Sequence, residues 1–294
     1  MDVQTGCSAC FLRQADEAVR LATADPALHA QLAGEAAALV AAATGTRSPV
    51  AVGQAVHRRV RELTGRPDPY LGPKQEFTRR MLAVLPGLEA MVRRSPDPLM
   101  TAARLAIAAN AIDLAAGRPV AEDVVGALRG VLHLPFHGET AAFRAALDRA
   151  TSVLYLTDNA GEIVVDRLLV EQLDPSRVTV AVRGAPVLND ATLAEARASG
   201  LADLPGLAGI VGNGSDAPGT LLEDCDDGFR ARFEAADLII AKGQGNYESL
   251  AGTPRPVFFL FKVKCAAVAA TSGLPLGTLA LIDRRVGDRR IHGT

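Results

Sequence analysis

The chain has 294 residues, of which 49% are hydrophobic and 22% charged, enough for one large globular domain or two modest ones. A net charge of −2 and a pI of about 6.2 leave no basic footprint for nucleic acid or an anionic membrane surface. No apolar run approaches the ~18 residues of a membrane helix, and the acidic, then amphipathic N-terminus lacks the form of a signal peptide, so a cytoplasmic location is expected.

From residue 1 to about 148, apolar residues recur at helical spacing. The stretches CFLRQADEAVRLA, ALHAQLAGEAAALVAAA, SPVAVGQAVHRRVRELTG, KQEFTRRMLAVLPGLEAMVRR and PLMTAARLAIAANAIDLAAG each carry it. Asp25-Pro26, Ser48-Pro49, Gly65-Arg66-Pro67 and Ser95-Pro96 punctuate them. Residues 1–148 therefore read as an all-helical N-terminal bundle with no evident strand. Its first helix opens on a CxxC, Cys7 and Cys10. A redox motif of the thioredoxin type would follow a strand, and a zinc knuckle needs a second close cysteine pair, whereas Cys225 and Cys265 lie 40 apart. Simple packing of Cys10 and Phe11 stands beside a metal or redox role. Asn110 and Asp113, three apart, share one face of an apolar helix. They serve either an interhelical hydrogen bond or the lining of a crevice.

From about residue 151 the rhythm changes. SVLYL (152–156), VTVAV (178–182), GIVG (209–212), DLIIA (237–241), VFFLF (257–261) and LALI (279–282) are short apolar runs, as strands buried on both faces should be. Helical stretches separate most of them. Residues 149–294 thus read as a Rossmann-like α/β/α sandwich with a mainly parallel sheet, whose ligands sit at the carboxyl ends of the strands.

Polar residues concentrate at those ends. Asp158 and Asn159 follow the first strand, Asn189 and Asp190 lie in the loop after the second, and Lys242-Gly243-Gln244-Gly245-Asn246 follows the fourth. Lys264 closes the fifth. Each has a plainer use: Asp158 or Asn159, and Asn189 or Asp190, are good helix N-caps, and Lys264 could be a surface lysine. Together they say more. Asp158 and Asp190, at the ends of consecutive strands, can reach one point, where two unpaired carboxylates repel. A divalent cation removes that cost. Two carboxylates with an amide oxygen make a hard, oxygen-rich site suited to magnesium or manganese. The glycine turn KGQGN can aim backbone N–H groups at an anion, although it matches neither a dinucleotide fingerprint nor a Walker loop.

Taken together, the N-terminal CxxC, the NxxD of Asn110 and Asp113, DNAGE, RGAPVLNDAT, KGQGNYE and FKVKC resemble the metal-dependent damage-control phosphatase family, catalogued as domain of unknown function 89. The CxxC and the Lys264-Cys265 pair are most similar to its microbial branch. The resemblance implies that Asp158, Asn159 and Asp190 are metal ligands. It implies too that Lys242, Gly243, Gln244, Gly245 and Asn246 form a substrate loop, and that Lys264 holds phosphate. It further implies hydrolysis of phosphate monoesters of sugars and related, including damaged, metabolites. The eukaryotic branch carries Arg-Thr-x-Lys where this chain has Phe261-Lys262-Val263-Lys264, so the pocket differs. The expected chemistry uses a divalent ion, Mg2+, Mn2+ or another, with Asp158 and Lys264 as catalytic groups. The attacking group is water or Asp158 itself. The partner is then a small phosphate ester rather than nucleic acid or membrane. Two other readings are a non-catalytic metal-dependent binder of phosphorylated metabolites and a Rossmann-type methyltransferase or dehydrogenase; the last needs a glycine-rich turn after the first strand, where TDNAGE has one glycine.

Overall fold

The computed structural model describes residues 3, 4, 6–43, 48–111 and 124–283. Helices open the chain: α1 (Cys7–Ala22), α2 (Pro26–Ala43), α3 (Pro49–Thr64), α4 (Leu71–Arg94), α5 (Pro98–Ala111) and α6 (Val124–Leu132). Gly65, at φ 64°, takes the left-handed conformation that ends α3. A short strand, β1 (Phe136–Gly138), and α7 (Thr140–Arg149) follow. β1 corrects the all-helical reading of residues 1–148. Three residues beside Pro135 are too few to show an apolar pattern, and only the parallel pairing with the last strand makes them a strand.

The remaining elements alternate: β2 (Val153–Leu156), α8 (Glu162–Gln172), β3 (Val178–Val182), α9 (Leu193–Ala198), β4 (Gly209–Gly212), α10 (Asp227–Ala235), β5 (Leu238–Lys242), α11 (Gly243–Leu250), β6 (Val257–Lys262), α12 (Ala266–Ser272) and β7 (Leu279–Asp283). The sheet order is β1-β7-β6-β5-β2-β3-β4. Strands β2 to β6 are mutually parallel, and β7 runs antiparallel to β6. All six apolar runs are therefore strands, in a mainly parallel sheet.

Side chains of β2 alternate between the two faces, as the period of a strand requires. Val153 and Tyr155 join a core cluster with α8 residues Val164 and Leu168, while Leu154 and Leu156 join Phe229, Phe233 and Tyr247. Both faces are thus covered, which gives the α/β/α layering. The first cluster also takes in Phe77 and Met81 of α4 and Leu105 and Ile107 of α5, so two helices of the N-terminal bundle form a layer of the sandwich. Helices α1 to α3 pack on a separate cluster that includes Phe11, Val19, Leu32, Val40 and Val60.

The chain winds from β2 outward to β3 and β4, then returns to the other side of β2 for β5 and β6. This reversal between β2 and β5 sets the loops at the carboxyl ends of the strands beside one another, the place where sheets of this kind bind ligands. Because α5 shares its core with the sheet, Ile107→Ala is expected to cost ~2–5 kcal/mol. Urea titration followed by hydrogen exchange should show helical and sheet segments losing protection together. Separate midpoints would mark residues 1–148 as an independent folding unit.

Candidate active site

The loops after β2 and β3 are stitched together by their backbones. The Ala191 N–H donates to the Asp158 carbonyl at 2.8 Å, the Ala160 N–H donates to the Asn189 carbonyl at 2.7 Å, and Asn159 and Asp190 form an isolated antiparallel bridge. The helix caps lie elsewhere. Gly161, at φ 71°, precedes α8 with no side-chain cap bond, and Thr192 with Glu195 forms the capping box of α9. Asp158, Asn159 and Asp190 are therefore not engaged as caps of the helices that follow them.

One guanidinium joins the two carboxylates. Arg183, buried at the end of β3, donates through Nε to Asp190 Oδ2 at 2.7 Å, and its Nη2 lies 3.7 Å from Asp158 Oδ1. Asp158 Oδ2 accepts from Asn110 Nδ2 of α5 at 2.7 Å and from Asn159 Nδ2 at 3.0 Å. Burial, then the charges of Glu162 and Asp190, push the Asp158 carboxyl well above the usual carboxylate range; Arg183 and Lys264 pull against them. Gly243, at φ 79°, leaves the space that this carboxyl fills: a Cβ there would stand 1.9 Å from Asp158 Oδ2.

The KGQGN turn divides by role. Lys242 does not face the crevice. Its ammonium is buried among Glu162, Asp166 Oδ1 at 2.6 Å and the Ala106 carbonyl at 3.1 Å. Direct substrate contact by its side chain, as read from the sequence, gives way to a structural role, because the last residue of β5 points this side chain between α5 and α8. Burial alone would lower this ammonium's pKa, but Asp166 and Glu162 outweigh it and hold it above its ordinary value. Asn246 is also buried. Its Nδ2 donates to the Lys242 and Thr157 carbonyls at 2.7 and 3.1 Å, and its Oδ1 accepts from Thr220 at 2.8 Å and from Arg183 at 3.3 Å. Gln244 ties the turn to the end of β6: Oε1 accepts the Lys264 N–H at 3.0 Å, and Nε2 donates to Glu248 at 2.8 Å and to Cys265 Sγ at 3.5 Å. Lys264 is exposed, within electrostatic reach of Asp158. Asn110 is joined to the site, whereas Asp113 lies outside the described residues.

The loop after β4 forms the next wall. Its Pro218 carbonyl sits where a Gly245 side chain would go, 2.2 Å from that Cβ position. Asp216 anchors the loop to α3, accepting from Gln54 at 2.7 Å, from Arg58 Nε at 2.9 Å and from Arg61, whose Nη1 also donates to the Pro186 carbonyl at 2.8 Å. Cys7 and Cys10 are free, partly buried thiols that burial pushes up, and Cys265 at the end of β6 lies within electrostatic reach of both.

Glu162, Arg183 and Thr220 belong to the site although sequence reasoning did not single them out. A charge directly after an apolar strand is the available signal for Arg183, and Glu162 has the position of an ordinary first-turn acid of α8. Among the described residues, no three His, Cys, Asp or Glu side chains gather as a ready metal cluster. The oxygen set here is two carboxylates and one amide. It fits a hard divalent ion on chemical grounds, since Asp158 is penalised by burial beside two other acids and extra positive charge relieves that penalty.

A mainly parallel α/β/α sandwich with acids at its switch point defines an α/β enzyme-like class of site. The family model of the damage-control phosphatase ARMT1-like domain matches residues 3–279, and the chain belongs to that family. A damage-control phosphatase of Archaeoglobus fulgidus is 33% identical over 287 residues, 95% of this chain and 98% of that protein. An uncharacterized protein of Methanocaldococcus jannaschii is 31% identical over 295 residues, 96% of this chain and 95% of that protein. The crystal structure of a DUF89 family protein from Pyrococcus horikoshii superposes with a TM-score of 0.84 at 29% identity, covering 97% of this chain and 100% of that chain.

Lys242→Met is expected to destabilise the fold by ~3–5 kcal/mol, because it strands Glu162 and Asp166 as buried acids. Urea unfolding checks this. A loss below 1 kcal/mol would contradict the assignment of Lys242 to this buried cluster.

Proposed function

We propose that the protein is a metal-dependent phosphatase that hydrolyses phosphate monoesters of sugars or related, including damaged, metabolites. The observation that carries the reading is the shared position of Asp158 and Asp190, both in contact with Arg183 at the switch point of the sheet. Membership of the damage-control phosphatase family and the names of its relatives support it.

In this reading Asp158, Asn159 and Asp190 hold a magnesium or manganese ion through oxygen. Bound there, the ion would supply Lewis-acid charge to a phosphoryl oxygen. The chain's own groups do the rest. The first N–H groups of α11, at Gly243, Gln244 and Gly245, lack carbonyl partners within their helix and carry its positive end toward the ester. Lys264 adds a full charge from the end of β6, placed by the bond between its N–H and Gln244. Fixed positive groups of this kind stabilise the charge spread over a phosphoryl group in flight. Arg183, held by Asn246, keeps Asp190 in register with Asp158.

Phosphate release from a panel of sugar phosphates tests the proposal. Activity should require a divalent ion, vanish with EDTA and return with Mg2+ or Mn2+. Asp158→Ala and Asp190→Ala should each abolish it, and full activity in both would refute the site. Gly243→Ala should lower turnover about a hundredfold, since its methyl group occupies the place of the Asp158 carboxyl. Unchanged kinetics would mean that this carboxyl is free to move without cost.

A further inference from the structure

Glu162, the first residue of α8, is fully buried beside Asp158 and Asp166, and its carboxylate is held by donors on both oxygens. Oε1 accepts from the Lys242 ammonium. Oε2 accepts from Asn159 Nδ2 at 3.1 Å and Asn110 Nδ2 at 3.0 Å. The same two amide nitrogens also donate to Asp158 Oδ2. An asparagine amide has an acceptor end and a donor end of almost equal size, and only its hydrogen bonds decide which one faces a site. For Asn159 the donor end is taken by two carboxylates, Asp158 and Glu162. The oxygen is the end left over, on a residue whose backbone is bridged to Asp190.

We infer that Glu162 is a positioning residue: braced by Lys242, its carboxylate fixes the amide of Asn159 so that Oδ1, rather than Nδ2, faces a divalent cation between Asp158 and Asp190. The inference rests on the metal-dependent reading above and adds what orients the one neutral ligand. It also gives the buried lysine of KGQGN a purpose, as the brace of the carboxylate that holds the amide.

Only a carboxylate suits this place. Glutamine preserves the size of Glu162 but exchanges one acceptor for an NH2 donor. Turned one way, that donor opposes the Lys242 ammonium; turned the other, it opposes the amides of Asn159 and Asn110. In the second case only Asp158 Oδ2 still holds the NH2 group of Asn159, so the amide can turn that group to the cation, a contact that repels.

The test is a Mn2+ titration of the full chain, without substrate, read by the electron paramagnetic resonance of the free ion. It compares wild type, Glu162→Gln, Asn159→Ala and the double variant, with thermal melting on the same samples to report folding. Glu162→Gln is expected to weaken Mn2+ binding about 10–100-fold, the usual effect of losing a ligand's supporting bond. Combined with Asn159→Ala it should add little, because the two act through one amide. Wild-type affinity in folded Glu162→Gln, or losses that multiply in the double variant, would overturn the inference while leaving the metal site standing. Wild-type protein that binds no Mn2+ would overturn the metal-dependent reading, and this inference with it. Should the glutamine variant fail to fold, Glu162→Asp takes its place in the same cycle. It keeps the charge and both acceptors one methylene further back, and the same non-additivity with Asn159→Ala is expected; multiplicative losses sink the idea there too.

Discussion

The constraint on which the structure turns is electrostatic. Asp158, Asp190 and Glu162 share one poorly solvated place, where like charges are costly to keep. The fold holds them with Arg183, which touches two of the acids, with Lys242, which serves Glu162 and Asp166, and with the amides of Asn110 and Asn159. The compensating groups come from α5, from β5 and from the loops after β2 and β3, so the acids stay together only if all four are in place. Burial of this charge is thus both a stability cost and a device for positioning.

Topology makes the gathering feasible. β2 lies between β3 and β5, so the loops that end these strands are neighbours although they are far apart along the chain. Gly243 shows how closely they meet, since the absence of a side chain on the β5 loop leaves room for a carboxyl from the β2 loop. The helical N-terminal region is part of the arrangement. Its helix α5 delivers Asn110 to Asp158, and α4 and α5 share a hydrophobic core with the sheet.

Much of this was legible in the sequence. The six apolar runs became strands because runs buried on both faces have one plain solution, and the loops at their carboxyl ends followed from their order. What escaped was what pairing in space decides. β1 is a strand only through its partner β7. Lys242 looked like a crevice lysine because it ends a strand beside a glycine turn, yet the pleat sends its side chain to the far side, between α5 and α8. Arg183 and Glu162 carry no spacing signal; their importance comes from contacts with residues distant in the chain. Asp158 and Asp190 each look like a helix cap when taken alone; their place at neighbouring strand ends predicts that they meet, and they do meet at Arg183, with the caps at other residues.

The fastening of α3 to the outer loops reaches further. Arg61 grips the loop after β3 through Pro186 and the loop after β4 through Asp216, while Gly53 of the same helix packs on Pro218, whose carbonyl backs the start of α11. The loops after β3 and β4 are therefore held from a helix that contributes none of the clustered acids. Repacking of that outer helix would shift both loops at once while leaving the buried acids beneath them in their places.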